Sequence, residues 1–235
     1  WPWAGRQDHL DRIAAVLEGY DVVALQEVDG GSFRGAFLNQ AEYLARKAGF
    51  DWWHLQVNRD YGRLAQHGIA MLSRVPPAAM RECRLPGLPG RGALMIALGG
   101  GPRPLTVLAV HLALGAGTRQ RQLRYLGRVV ARCHDVVVMG DMNCRAAQLE
   151  AHPALRRRGL KVATRAAATY PSWRPRRNLD HVLVTPELTV RRAEVLDHPW
   201  SDHLPVAIHL DLPVDVAAPY VPPRVHKDPA VENRP

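Results

Sequence analysis

DVVVMGDMN, residues 135–143, runs three valines and a methionine into Gly140, then sets Asp141 and Asn143 two apart. Its β-branched residues read as a buried strand, and the glycine with its polar followers as the turn that ends it. The same texture recurs on either side. PLTVLAVHL (104–112) carries His111 inside an apolar run, and DHVLVT (180–185) opens on Asp180 and His181. LPVAIHLDL (204–212) follows Ser201, Asp202 and His203, while DVVALQEV (21–28) ends its apolar run at Glu27. DWWHLQV (51–57), GIAMLS (68–73) and GALMIAL (92–98) complete the strand-like runs. The glycines and prolines of GGGPRP (99–104) predict a hairpin between two of these strands.

Helical spacing marks three segments. Residues 8–19 place Leu10, Ile13, Ala14 and Leu17 at three- and four-residue steps before Gly19. Residues 36–49, with Phe37, Tyr43 and Leu44, end at Gly49; residues 118–132 carry a stripe of Leu123, Leu126, Val129 and Val130. Many strands with a few interspersed helices predict a layered α/β or α+β architecture. In DWW, neighbours on a strand face opposite ways, so one of Trp52 and Trp53 is expected in the core and the other outward. From Val214 the chain turns proline-rich and aperiodic, so 214–235 reads as a flexible tail and 1–213 as one domain.

The composition sets the outer bounds. With 47% hydrophobic and 23% charged residues over 235 positions, the chain is globular and long enough for one sizeable core. No apolar run approaches the roughly 20 residues of a membrane helix, which excludes a transmembrane segment. The net charge of +9 favours anionic partners, nucleic acid among them. Arginine supplies nearly all of it, since only Lys47, Lys161 and Lys227 are lysines, and that bias equally fits GC-rich coding. Cys83, Cys133 and Cys144 show no CxxC spacing and read as buried thiols rather than a disulfide or zinc framework. The start, Trp1-Pro2-Trp3, has no signal-peptide core. A cytoplasmic setting is slightly favoured, and no feature speaks to the oligomeric state.

Singly, each polar residue at a strand end has a plain structural explanation. Glu27 can end a strand at the surface, His111 can be a hydrogen-bonded core histidine, and Asp141 and Asp202 can cap turns. Together they put oxygen and imidazole donors on five separate strands, the pattern of a hard-cation site. No GxSxG is present, so a serine hydrolase finds no support.

LQE (25–27), GIAMLSR (68–74), VHL (110–112), GDMN (140–143), LDHVLV (179–184) and SDHLPV (201–206) stand in an order and spacing that resemble the endonuclease/exonuclease/phosphatase superfamily. The resemblance spans roughly residues 8–212. It implies a four-layered α/β sandwich, two packed and mostly antiparallel sheets flanked by helices. It also implies a metal-dependent phosphoesterase, hydrolysing a phosphodiester or phosphomonoester with Mg²⁺ or Mn²⁺.

On this resemblance Glu27 ligates the metal, Asp202 sits near it, and Asp141 orients the attacking water or helps to hold the metal. Asn143 donates to phosphoryl oxygens, and His111 touches the scissile phosphate or its leaving oxygen. Asp180 orients His203, which serves as general base or phosphate-binding cation. Arg174 and Arg177, with Arg176 and the neighbouring Trp173, are candidates for substrate binding, against the simpler reading of a solvated loop. The alternative function is a non-catalytic phosphate- or nucleic-acid-binding module, or a truncated inactive relative. Members of the superfamily begin with a strand ending in asparagine, and Trp1-Pro2-Trp3 offers none. The expectation is a sheet lacking its first strand and a chain that folds poorly alone.

Overall fold

The computed structural model describes residues 4–31, 38–60, 66–87, 89–165 and 168–212. The proposed tail from Val214, and Phe37, lie outside them. Helix α1 (Ala4–Leu17) leads into β1 (Val22–Asp29); α2 (Gln40–Lys47), β2 (Trp52–Asp60) and β3 (Gln66–Ser73) follow. Next come β4 (Ala79–Arg84), β5 (Gly92–Leu98), β6 (Leu105–His111), α3 (Ala116–Val129), a 3₁₀ turn (Val130–Arg132) and β7 (Asp135–Asp141). The chain continues through α4 (Ala146–Glu150), α5 (Pro153–Arg156), β8 (Lys161–Val162), β9 (Asp180–Val184), β10 (Val190–Val195) and β11 (Val206–Leu210).

Three apolar seams hold four layers together. Between the sheets, Ile69 and Met71 of β3 meet Leu94, Ile96, Val107, Val137 and Val182. Under α1 and α2, Leu10, Ala14, Leu44 and Ala45 pack on Ala70 and Leu72, the alternate residues of the same β3. Under α3 to α5, Leu123, Leu126, Leu149 and Leu155 cover Leu108, Val110, Val136 and Val138. The result is helix, sheet, sheet, helix, as the resemblance implied. It also explains the tryptophan pair. Trp52 joins the inter-sheet seam, whereas Trp53 lies under the helical layer instead of facing outward. A strand covered on both faces has no outward ring.

The larger sheet runs β4-β5-β6-β7-β9-β8, and its β6–β7 pair is parallel among antiparallel neighbours. The expected hairpin joins β5 to β6 with Leu98 opposite Leu105. Gly140 makes the parallel pair possible next to the turn. At φ +136, its backbone lies so close to the Val110 carbonyl that a side chain has no room.

The other layer is divided. β1-β3-β2 form one piece and β10-β11 another, with no pairing between β1 and β11. A cavity of about 460 Å³ separates their edges, bounded by Val22–Val28 on one side and Val206–Ile208 on the other. Met139 and Val182 of the large sheet and Ile13 and Leu17 of α1 also line it. The gap reaches Glu27, Asp180 and His203 at one end.

Candidate active site

Cross-strand register assembles the polar residues. His111 is paired with Asp141 across β6 and β7, and Asp141 with Asp180 across β7 and β9. Partners in a row project from the same face, so three residues far apart in sequence share one edge of the sheet. All three are buried.

Asp141 is the centre of this row. Its Oδ1 accepts from the Asn143 backbone N–H at 2.8 Å and its Oδ2 from Asn143 Nδ2 at 3.1 Å. This is an aspartate turn, and Asn143 closes it at φ +49, a conformation asparagine tolerates better than most residues. Asn143 Nδ2 donates its second hydrogen to the Leu112 carbonyl at 2.9 Å. Both amide hydrogens are therefore engaged within the protein. The donor role toward phosphoryl oxygens expected from sequence requires one to be released, and as it stands Asn143 fixes Asp141. Burial, joined by the charge of Asp180, pushes the Asp141 carboxyl up to about 6.

Asp180 Oδ2 accepts from His203 Nδ1 at 2.7 Å and from the Thr169 hydroxyl at 2.5 Å. Burial alone would lower the His203 pKa. The Asp180 hydrogen bond and the charges of Asp180, Asp141 and Asp202 outweigh it and raise the imidazole above its ordinary value. The opposite holds at His111, which burial and the positive charges of Arg91 and His203 push down to about 3. His111 Nε2 lies 3.5 Å from Asp141 Oδ2 and 3.9 Å from Glu27 Oε1. Two histidines at one site thus hold opposite protonation tendencies.

Glu27 sits on a β-bulge of β1 at φ +56, its side chain 68% exposed. The bulge turns it out of the ladder toward His111. Asp202 is exposed beside His203, its carbonyl accepting from the Ser172 N–H at 2.8 Å. Among the described residues no three acidic, histidine or cysteine side chains converge closely enough to hold an ion. Glu27, Asp141 and Asp202 thus do not form a closed cage. The donors nevertheless suit Mg²⁺, which is held through one or two carboxylates and keeps several waters. A desolvated carboxylate with its pKa raised is a group that a divalent cation would return to full ionisation.

Arg174 and Arg177 stand on the turn 170–177, both exposed. Arg177 lies over the Tyr170 ring, 5.7 Å from its centroid, and Tyr170 tilts against His203 at 4.8 Å. Arg177 therefore joins the rim through Tyr170, whereas Arg174 makes no side-chain contact with the polar row. Trp173 beside it is 74% exposed.

Sequence reasoning missed three residues here. Thr169 supports Asp180, and Tyr170 packs on His203. Arg91 places Nη1 against the His111 ring, 2.7 Å from Nδ1. A charged residue between Gly90 and Gly92 at a strand start was the available signal. His181 is fully buried and bonds through Nε2 to the Cys144 carbonyl at 2.8 Å, tying β9 to the turn that holds Asn143. Cys144 is itself buried, its thiol pushed up by burial to about 11.

The sequence pattern of the family described as Endonuclease/Exonuclease/phosphatase family matches residues 3–203. Among solved structures, a protein of that family from Leptotrichia buccalis aligns at TM-score 0.73 and 18% identity, over 90% of this chain and 96% of its own. A second, from Beutenbergia cavernae, aligns at 0.66 and 25% identity, over 86% of this chain and 66% of its own. A mannosyl-6-phosphatase from Bacteroides thetaiotaomicron shares the fold at 0.68 and 14% identity, over 88% and 91% of the two chains. None of the curated proteins compared matches the chain.

Proposed function

Because the chain belongs to the endonuclease/exonuclease/phosphatase family, whose members are generally hydrolases of phosphate esters, we propose that it hydrolyses a phosphodiester or phosphomonoester with a divalent cation. The observation that carries this reading is the pairing of His203 with Asp180 beside the His111–Asp141 row. A phosphate ester repels anionic nucleophiles, so its hydrolysis needs a base for water and compensation for charge on the phosphoryl oxygens.

His203 supplies the base. Asp180, itself held by the Thr169 hydroxyl, fixes the imidazole through Nδ1, leaving Nε2 to take a proton from water as its oxygen attacks phosphorus. Asp141, held rigid by Asn143, accepts a hydrogen bond from that water and aligns it. His111, with its pKa near 3, is neutral at working pH and donates a hydrogen bond to the phosphoryl group without carrying a proton to transfer. The leaving oxygen departs with the electron pair of the broken P–O bond and takes its proton from solvent. Glu27 and Asp141, with Asp202 at the rim, would hold Mg²⁺ or Mn²⁺. The cation would supply charge neutralisation at the phosphoryl oxygens. Arg177 on its tyrosine, and Arg174 further out, would meet the remainder of the substrate, nucleic acid being one candidate.

Release of nitrophenol from bis-p-nitrophenyl phosphate, followed from pH 5 to 8 with Mg²⁺ or Mn²⁺, tests the reading. Chelator should abolish turnover. The base works only when neutral, and Asp180 raises its pKa, so activity should fall as pH drops, with the limb displaced above 6.5. Protonating Asp141 acts in the same direction. A flat profile would rule out His203 as base.

A further inference from the structure

A second polar cavity, of about 160 Å³, lies beside the row and is bordered by Glu27 and His111. Asn58, Arg59, His67, Gly68, Gly90 and Arg91 also line it. Two strand irregularities build it. The bulges at Glu27 in β1 and Asn58 in β2 bracket Gly68 of β3 and re-aim both edges toward the start of β5. Gly90 takes φ +101, and a Cβ there would stand 2.9 Å from Arg59 Nε and 3.1 Å from its Nη2. The Arg59 guanidinium is thus laid against glycine backbone. Arg91 follows immediately, half-buried, with Nη1 on His111.

The charges here are poorly balanced. Arg59 makes no ion pair among the described residues, and Arg91 only approaches Glu27 at 3.9 Å. Two guanidinium groups, that of Arg59 at the exposed mouth, and the imidazoles of His67 and His111 line a small cavity whose single carboxylate, Glu27, already faces His111. The charge of Arg59 disfavours the half-buried Arg91 cation, and an anion between the two guanidinium groups would relieve that. Two arginine forks present more N–H donors than a carboxylate can use, and match the oxygens of a phosphate.

We propose that this cavity is a second anion subsite, holding a non-reacting phosphate of a substrate that bears two. The inference rests on the phosphoesterase reading, since it takes the reacting phosphate to sit by His111 and His203. It narrows the substrate class to esters with a second phosphate within one nucleoside-sized span of the first.

The test compares the p-nitrophenyl ester of thymidine 5′-phosphate with the same ester carrying a 3′-phosphate. The 3′-phosphorylated ester should show a kcat/KM at least tenfold higher. Arg59→Ala should collapse that ratio toward one, and Arg59→Lys should restore part of it. In parallel, calorimetry without turnover compares thymidine 3′,5′-bisphosphate with thymidine 5′-phosphate. The bisphosphate should bind about tenfold tighter to the natural chain and equally to Arg59→Ala. Equal affinities in the natural chain, or a preference that survives Arg59→Ala, would overturn the subsite. Hydrolysis of neither ester with the binding preference intact would overturn the catalytic reading and leave the anion site standing.

Discussion

Asp141→Asn should lose activity and gain stability together. The amide preserves the shape of the side chain and can still accept from the Asn143 N–H. Its nitrogen cannot accept the hydrogen bond that Oδ2 takes from Asn143 Nδ2, and the amide cannot align water as a carboxylate does or hold a cation. We expect kcat to drop about 10³-fold, equivalent to roughly 4 kcal/mol of transition-state stabilisation. The stability change has the opposite sign. A carboxyl whose pKa rises from 3.8 to about 6 on folding is disfavoured as an anion in the folded chain. Its destabilising contribution is absent below the unfolded value and complete above pH 6. Its size is on the order of 2–3 kcal/mol, since each pH unit is about 1.4 kcal/mol. Metal-free Asp141→Asn should therefore melt about 5 °C higher than the natural side chain at pH 7, at a rate of 2–4 °C per kcal/mol. At pH 4 the difference should vanish. Calorimetry beside the nitrophenyl assay checks both halves. A purely structural aspartate would give lower stability, and that result would remove Asp141 from the reacting centre.

The divided sheet carries the second large effect. Among the described residues, the facing edges of β1 and β11 find no ladder partners, above an apolar floor. This open seam should make the chain melt broadly, bind a hydrophobic dye and aggregate on warming. Lengthening the chain at its N-terminus by one designed strand of about six residues, plus a connection into α1, should correct this. The site favours such a strand running parallel to β1. Helix α1 leads into β1 from the opposite direction, so a strand before the helix would complete a β-α-β unit. Three buried apolar side chains at about 2 kcal/mol each, and two rows of ladder bonds, oppose roughly 1.5 kcal/mol of ordering entropy per residue. The surplus is a few kcal/mol, or a melting point higher by about 10 °C. A sharp cooperative melt of the unlengthened chain would contradict this account.

Strand-end chemistry was legible because a buried strand advertises itself as an apolar run, and a polar residue at its end stands out. That is how 135–143, 104–112 and 180–185 were found. β4 and β10 escaped because their sequences, AMRECR and VRRAEV, contain no such run; most of their residues face water and only Cys83 is buried. The helix expected over 8–19 occupies Ala4–Leu17, and that over 36–49 is described as Gln40–Lys47, where Asn39 accepts from the Glu42 N–H. End effects of this kind depend on caps rather than on periodicity. Arg91 and Thr169 were harder to read for a different reason. Their importance comes from partners twenty and eleven residues away in sequence, His111 and Asp180, that only register brings near.

Cys144 follows Asn143 directly, so a sulfur lies one residue from the reacting centre. Nucleophilic thiols react as thiolates, and a thiol with its pKa near 11 forms almost none at neutral pH. Maleimides, iodoacetamide and mild peroxide should therefore spare it and label Cys133, the one half-buried cysteine, first. Mass spectrometry after alkylation should find one modified thiol and undiminished hydrolysis. The fold thereby insulates its reacting centre from electrophiles and oxidants, and makes Cys133 a natural attachment point for a reporter dye.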